Sequence, residues 1–215
     1  MTFVNGATLG VCLTLSLSAS AAEFEVPIPG GAAVFAITEG EVSPQHVKRL
    51  TRWISRTARS IAGYADAFPA PQQFLSIRPT TGSGIQRGCT FATDPPSIAV
   101  TVGTETSGQE FDNDWVLAHE MVHISVPDLA QAHLWFEEEL AGYVEALART
   151  WSGHRDERKM WHYLHRGIAQ GEPRSHEGGL DGTRRWGRVS WGSVLFFLEA
   201  DVTMRTLQPQ GGGLP

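Results

Sequence analysis

The 215-residue sequence predicts an α+β domain, and two observations carry that expectation. Short apolar segments bounded by turn formers cluster before residue 103, whereas after residue 112 apolar residues recur every three or four positions. A composition that is 41% hydrophobic and 19% charged suits one globular core. The expected architecture is a small N-terminal sheet with one long helix, followed by a helical C-terminal half. No internal repeat or heptad pattern competes with it.

Residues 1–22 contain no charged residue and end in a run of Ser and Ala, which reads as a secretory signal peptide cut near Ala21 or Ala22. The Lys or Arg that usually precedes such an apolar stretch is missing. The segment is too short and too rich in Ser and Thr for a membrane span, so the mature protein is expected to be exported, periplasmic or extracellular. Its removal takes away Cys12 and leaves Cys89 alone, so no intrachain disulfide is expected. Residues 23–208 then form a single domain and 209–215 a flexible tail.

"AAVFAI" (Ala32 to Ile37) has the length and apolarity of a buried strand. Ser43 and Pro44 open a helix on which Val47, Leu50, Ile54, Ala58, Ile61 and Ala65 share a face. Its other face carries Lys48, Arg49, Arg52, Arg56 and Arg59 and reads as solvated. Pro69 to Pro71 ends that helix, and "QFLSIRP" and "SIAVTV" (Ser97 to Val102) follow as strands, separated by a Gly-rich loop containing Cys89. Four helices complete the chain: about Asn113 to Ile124, Trp135 to Thr150, Arg155 to Ala169 and Ser190 to Leu207. The net charge of −6, with no dominant basic stripe, argues against a nucleic-acid binder.

The chemistry concentrates in "AHEMVHISVP", residues Ala118 to Pro127. On a helix His119 and His123 lie one turn apart on one face, with Glu120 about 100 degrees around from His119. Nearly everything else from Trp115 to Ile124 is apolar, so three polar groups must be satisfied inside the protein. One zinc ion would satisfy them: two imidazoles bind it, and the carboxylate, held off the metal, takes a proton from the attacking water.

Such a pair of histidines needs a further donor. "WFEEELAGYVEALA" (Trp135 to Ala148) offers Glu137, Glu138 and Glu139 at the start of an apolar helix. Periodicity leaves Glu137 and Glu138 open, since Glu137 is nearest the arc of Leu140, Tyr143, Val144 and Leu147. Glu138 shares a stripe with Ala141, Gly142 and Glu145, whose small members would let a second helix approach closely, and this favours Glu138.

"HEMVH" followed by "WFEEELAGYVE" resembles the gluzincin zinc peptidases, the thermolysin-like superfamily that includes the aminopeptidase N and glycyl aminopeptidase-like families. Their second motif commonly runs W-x-x-E-G-x-A-x-Y-x-E, and matching Trp135, Ala141, Tyr143 and Glu145 puts its ligand glutamate on Glu138. The resemblance implies a thermolysin-like minimal metallopeptidase domain. It also implies His119, His123 and Glu138 as zinc ligands, Glu120 as general base, and a peptide or protein substrate lying along an edge strand, for which "SIAVTV" is the candidate. Two positions depart from the pattern. Glu139 stands where the family has Gly, and Ser190 stands where a Tyr-Trp-Gly-Gly pattern would supply the oxyanion tyrosine. Loss of one such donor typically costs about 10² to 10³ in rate. Tyr163, His165 and His176 are the replacements considered, each more simply read as structural or exposed. His133 does not fit a metzincin third ligand, because that pattern needs His where Leu129 stands. The sequence therefore supports a zinc peptidase first, and second a zinc-binding but catalytically weak homologue acting as a binding or structural module.

Overall fold

The computed structural model describes residues 21–127, 129–130, 133–172, 174–183 and 185–207. Almost all of the expected signal peptide, and the expected tail, lie outside these described residues. The order is β1 (Glu23–Pro27), β2 (Ala33–Thr38), α1 (Pro44–Tyr64), β3 (Gln72–Thr80), β4 (Ile85–Phe91), β5 (Ser97–Gly103), α2 (Gly108–Asn113), α3 (Val116–His123), α4 (Leu134–Trp151), α5 (Glu157–Ile168) and α6 (Trp186–Leu207). This is the α+β arrangement that the sequence predicts, with five strands and six helices among the described residues.

The sheet runs β1-β2-β3-β5-β4. Its interior pairs, β2 with β3 and β3 with β5, are parallel, and both edge strands pair antiparallel. A parallel β2–β3 pair requires a crossover, which α1 supplies. Ser43 caps α1 by accepting from the His46 backbone N–H at 3.2 Å, with Pro44 at the first turn. The face of α1 carrying Leu50, Trp53, Ile54, Ala58 and Ile61 is buried. Across the sheet Ala36 lies opposite Leu75 and Leu75 opposite Ile98, so a single apolar layer faces the helices.

Four expectations need correction. β1 is a strand where only a lead was expected. Its "EFEVP" alternates, with Val26 buried, Phe24 partly buried and Glu23 and Glu25 turned outward, but five residues ending in Pro give a weak signal. The Gly-rich loop around Cys89 is instead β4, and β4 forms the sheet edge. "SIAVTV" belongs to β5, held between β3 and β4, so its backbone hydrogen-bonding groups are spent within the sheet. The sequence of β4, "IQRGCTF", hides its nature because only one face meets the core, and after Ile85 and a register shift the residues there are Gly88 and Thr90, opposite Val100 and Ile98. Third, the helix expected from Asn113 begins only at Val116, and a separate short helix precedes it. α2 starts at Gly108 on a capping box, in which Ser107 Oγ accepts from Glu110 N at 3.2 Å and Ser107 N donates to Glu110 Oε2 at 2.8 Å. The chain leaves helical geometry at Asp114 before α3 begins. Fourth, α6 begins at Trp186, one turn before the expected Ser190.

α3 lies beneath β4 and β5 and packs on α1 and α4, while α4 also packs on α1 and α6. This layering sets the first turn of α4 against the end of α3. Among the described residues no helix is long and apolar enough to cross a membrane.

Candidate metal centre

The start of α3 is fixed by one partly buried carboxylate. Asp114 accepts from the backbone N–H of Val116 at 3.0 Å and Leu117 at 3.2 Å, and from Trp53 Nε1 of α1 at 2.9 Å. Burial pushes the Asp114 carboxyl above the usual range, against the pull of those donors. Asp114→Ala should cost about 2 kcal/mol by removing a cap and leaving the Trp53 N–H without an acceptor. For a chain of this size that is a fall of about 4–8 °C in Tm by calorimetry. Asp114→Asn, which can still accept, should lose less than half as much.

From that anchored start, one turn of helix brings His119 and His123 together. Their Nε2 atoms lie 3.1 Å apart, with Glu138 Oε2 at 3.3 Å from His119 Nε2 and 3.8 Å from His123 Nε2. All three side chains are partly buried. Two ligands held about 2.0–2.1 Å from a tetrahedral ion are themselves about 3.3 Å apart, and the three separations bracket that value. The donor set therefore fits a divalent cation in size as well as in type. On the side away from Glu138, His119 Nδ1 is buried without a hydrogen-bond partner among the described residues, and so is Glu145 Oε2 one helix away. Trp115 packs edge-on against the His119 ring at 5.6 Å between centroids.

Consecutive residues on α4 point about 100 degrees apart, and the three acids of its first turn accordingly find three different partners. Glu137 accepts from the backbone N–H of Leu129. Glu138 faces the histidine pair, as the small-residue stripe predicts. Glu139 is buried and accepts from Ser190 Oγ of α6 at 2.9 Å. Farther along α4, Glu145 accepts from Arg149 Nη1 at 3.1 Å, while Arg149 Nη2 donates to the Asn113 carbonyl at 3.0 Å and ties α4 to the α2–α3 junction.

Glu120 is turned toward β4 and is no part of the imidazole–carboxylate cluster. It is buried, and its Oε2 accepts from Thr90 Oγ1 at 2.7 Å. A Cβ at position 88 would come within 2.5 Å of Glu120 Cγ, which explains the glycine there.

Two clefts meet at Glu138. One, of about 580 Å³, runs along β4 and is lined by Gly88, Thr90, Phe91, Glu120 and His123. The other, of about 670 Å³, opens between α4, α5 and α6 and takes in His119, Glu139, Ser190 and Tyr163. Tyr163 is thus brought to the same cleft as His119, its ring 4.9 Å from that of Trp191 and beneath the Arg155 guanidinium at 5.3 Å. His165 and His176 are exposed and line neither cleft. His133 is bonded to Asp181 at 3.1 Å on the surface.

Burial, and secondarily the neighbouring His119, push the His123 imidazole below its ordinary value of 6.5. The His119 hydrogen bond holds Glu138 below the usual carboxylate range. Both groups are therefore in their metal-binding forms well into mildly acid solution, because a base with a lowered pKa stays neutral, and an acid with a lowered pKa stays ionised, at lower pH. At fixed free zinc, the His123 and Glu138 shifts should therefore hold bound metal as the pH falls from 8 to the ordinary imidazole value of 6.5, with release only below it. Equilibrium dialysis showing half-release at or above pH 7 would contradict this ordering.

No family model matches the chain, and no curated protein matches it in sequence. Among solved structures, an aminopeptidase N family protein from Idiomarina loihiensis aligns over 90% of this chain with a TM-score of 0.57 and 14% identity. Yeast LTA4 hydrolase aligns over 85% of this chain at 13% identity, with a TM-score of 0.48 in complex with bestatin and 0.47 in its native form. The chain spans 39% of the length of the first of these and about a third or less of the other two. The likeness to the Idiomarina protein is one of fold: this chain has the architecture of part of an aminopeptidase N family protein.

Proposed function

We propose that the protein hydrolyses peptide bonds with a single zinc ion held by His119, His123 and Glu138, and with Glu120 as general base. The observation that carries this reading is the division of labour among four side chains. Three donors converge at tetrahedral spacing, while the fourth side chain, Glu120, is bonded to Thr90 and faces a cleft. A metal ion used only for structure needs no carboxylate beside its ligands. Zinc in such a site acidifies water and polarises a carbonyl.

The chain's own groups supply the rest. Glu120 accepts a proton from the attacking water and passes it to the leaving amine. β4, being the sheet edge, has backbone groups available for an extended peptide above the site. Measuring zinc by atomic absorption and hydrolysis of a broad peptide library tests the reading: stoichiometric metal with cleavage is expected, and a metal-free protein under zinc-replete conditions overturns it.

One observation favours a second reading, a zinc-binding module of weak activity. Ser190 Oγ is engaged by Glu139, and its short side chain cannot place a hydroxyl where a tyrosine at that position would. A zinc-loaded protein that cleaves no peptide in the library would select this reading.

A further inference from the structure

Building on that peptidase reading, we infer that Thr90 is the positioning residue of the general base. The core-facing side of edge strand β4 forms a two-residue cradle for Glu120. At position 88 there is no side chain: a Cβ would lie 2.5 Å from Glu120 Cγ and 2.6 Å from Oε1, so only glycine leaves room for the carboxyl. At position 90 there is a hydroxyl, 2.7 Å from Glu120 Oε2 and 2.9 Å from the Glu120 carbonyl oxygen. Gly88 and Thr90 face the same way because they are two residues apart on a strand, opposite Val100 and Ile98 of β5.

The consequence is a directional one. Thr90 occupies Oε2, whereas Oε1 makes no hydrogen bond among the described residues and lies beside Gly88 at the wall of the β4 cleft. Thr90 thereby fixes the carboxylate plane and leaves Oε1 for the attacking water. The same strand offers its outer edge to the peptide, so base and substrate are referenced to one element. Without the hydroxyl, Glu120 keeps its place on α3 but not its orientation, and displacements of about 1 Å can cost 10² in rate.

Two kinds of measurement on the full chain test this. In the zinc-loaded protein Thr90→Val, which keeps the shape and removes the hydroxyl, should lower kcat about 10- to 100-fold, with KM changed less than about twofold and zinc content unchanged. Thr90→Ser should retain at least half of kcat. Should the Val variant not fold, Thr90→Ala takes its place with the same expectations. Independently of activity, a double-mutant cycle of Thr90→Val with Glu120→Ala in metal-free protein should be non-additive, the combined Tm loss falling short of the sum by about 2–4 °C. Equal kcat for Thr90→Val and wild type, equal impairment of the Ser and Val variants, or an additive cycle overturns the inference. An inactive wild type with a non-additive cycle would instead sink the peptidase reading and leave the contact standing.

Discussion

Glu120→Gln should bind one zinc per chain as the wild type does and lose hydrolysis by about 10² to 10⁴, the range that a positioned acid–base group contributes. The separation of the two effects follows from geometry. Glu120 contributes no atom to the cluster of His119, His123 and Glu138, and its Oε2 is turned to Thr90, so replacing an oxygen by an amide leaves the three donors in place. Gln keeps the volume against Gly88, so the packing of α3 under β4 is retained as well. What it cannot do is accept the proton of the attacking water. A variant that loses zinc together with activity would show that Glu120 is part of the metal's support. A variant as active as wild type would remove it from the chemistry altogether.

The sequence reveals this site unevenly, and the reason lies in which residues carry periodic signals. α3 and α4 are visible because apolar spacing and charged ligands coincide on them, so that even the choice of Glu138 over Glu137 can be reasoned from the Ala141–Gly142 stripe. β4 is not visible. An edge strand needs apolar residues on one face only, and here that face offers Ile85 and then, past a register shift, Gly88 and Thr90, which hold Glu120 and read in sequence as a turn. The stronger strand signal belongs to β5, whose "SIAVTV" is apolar because it is held inside the sheet, and it is β4 that forms the edge. The start of α2 goes unread for another reason: Ser107 and Glu110 do stand at capping-box spacing, but the helix they open is six residues long with one buried residue, too short for an apolar period. The meeting of Tyr163 with His119 in one cleft depends on how α5 and α6 fold back over α4, a long-range relation that local periodicity does not encode.

The other large effect is expected at Glu138. Glu138→Ala should reduce zinc affinity by more than 100-fold, above the roughly 10- to 100-fold range typical of losing an outer-shell partner, because it removes a direct donor. The neighbouring acids are the controls, since all three share the same turn and the same net charge. Glu137→Ala removes an acceptor for the Leu129 backbone and should leave zinc binding within about threefold of wild type. Glu139→Ala frees Ser190 Oγ and should likewise retain the metal, with its effect confined to the stability of the α4–α6 contact. If the cluster were simply an acidic patch attracting cations through its field, the three substitutions would weaken binding alike and the losses would shrink in high salt. A site built by coordination responds at Glu138 alone, in high salt as in low, and isothermal titration of the three variants at two ionic strengths separates the cases.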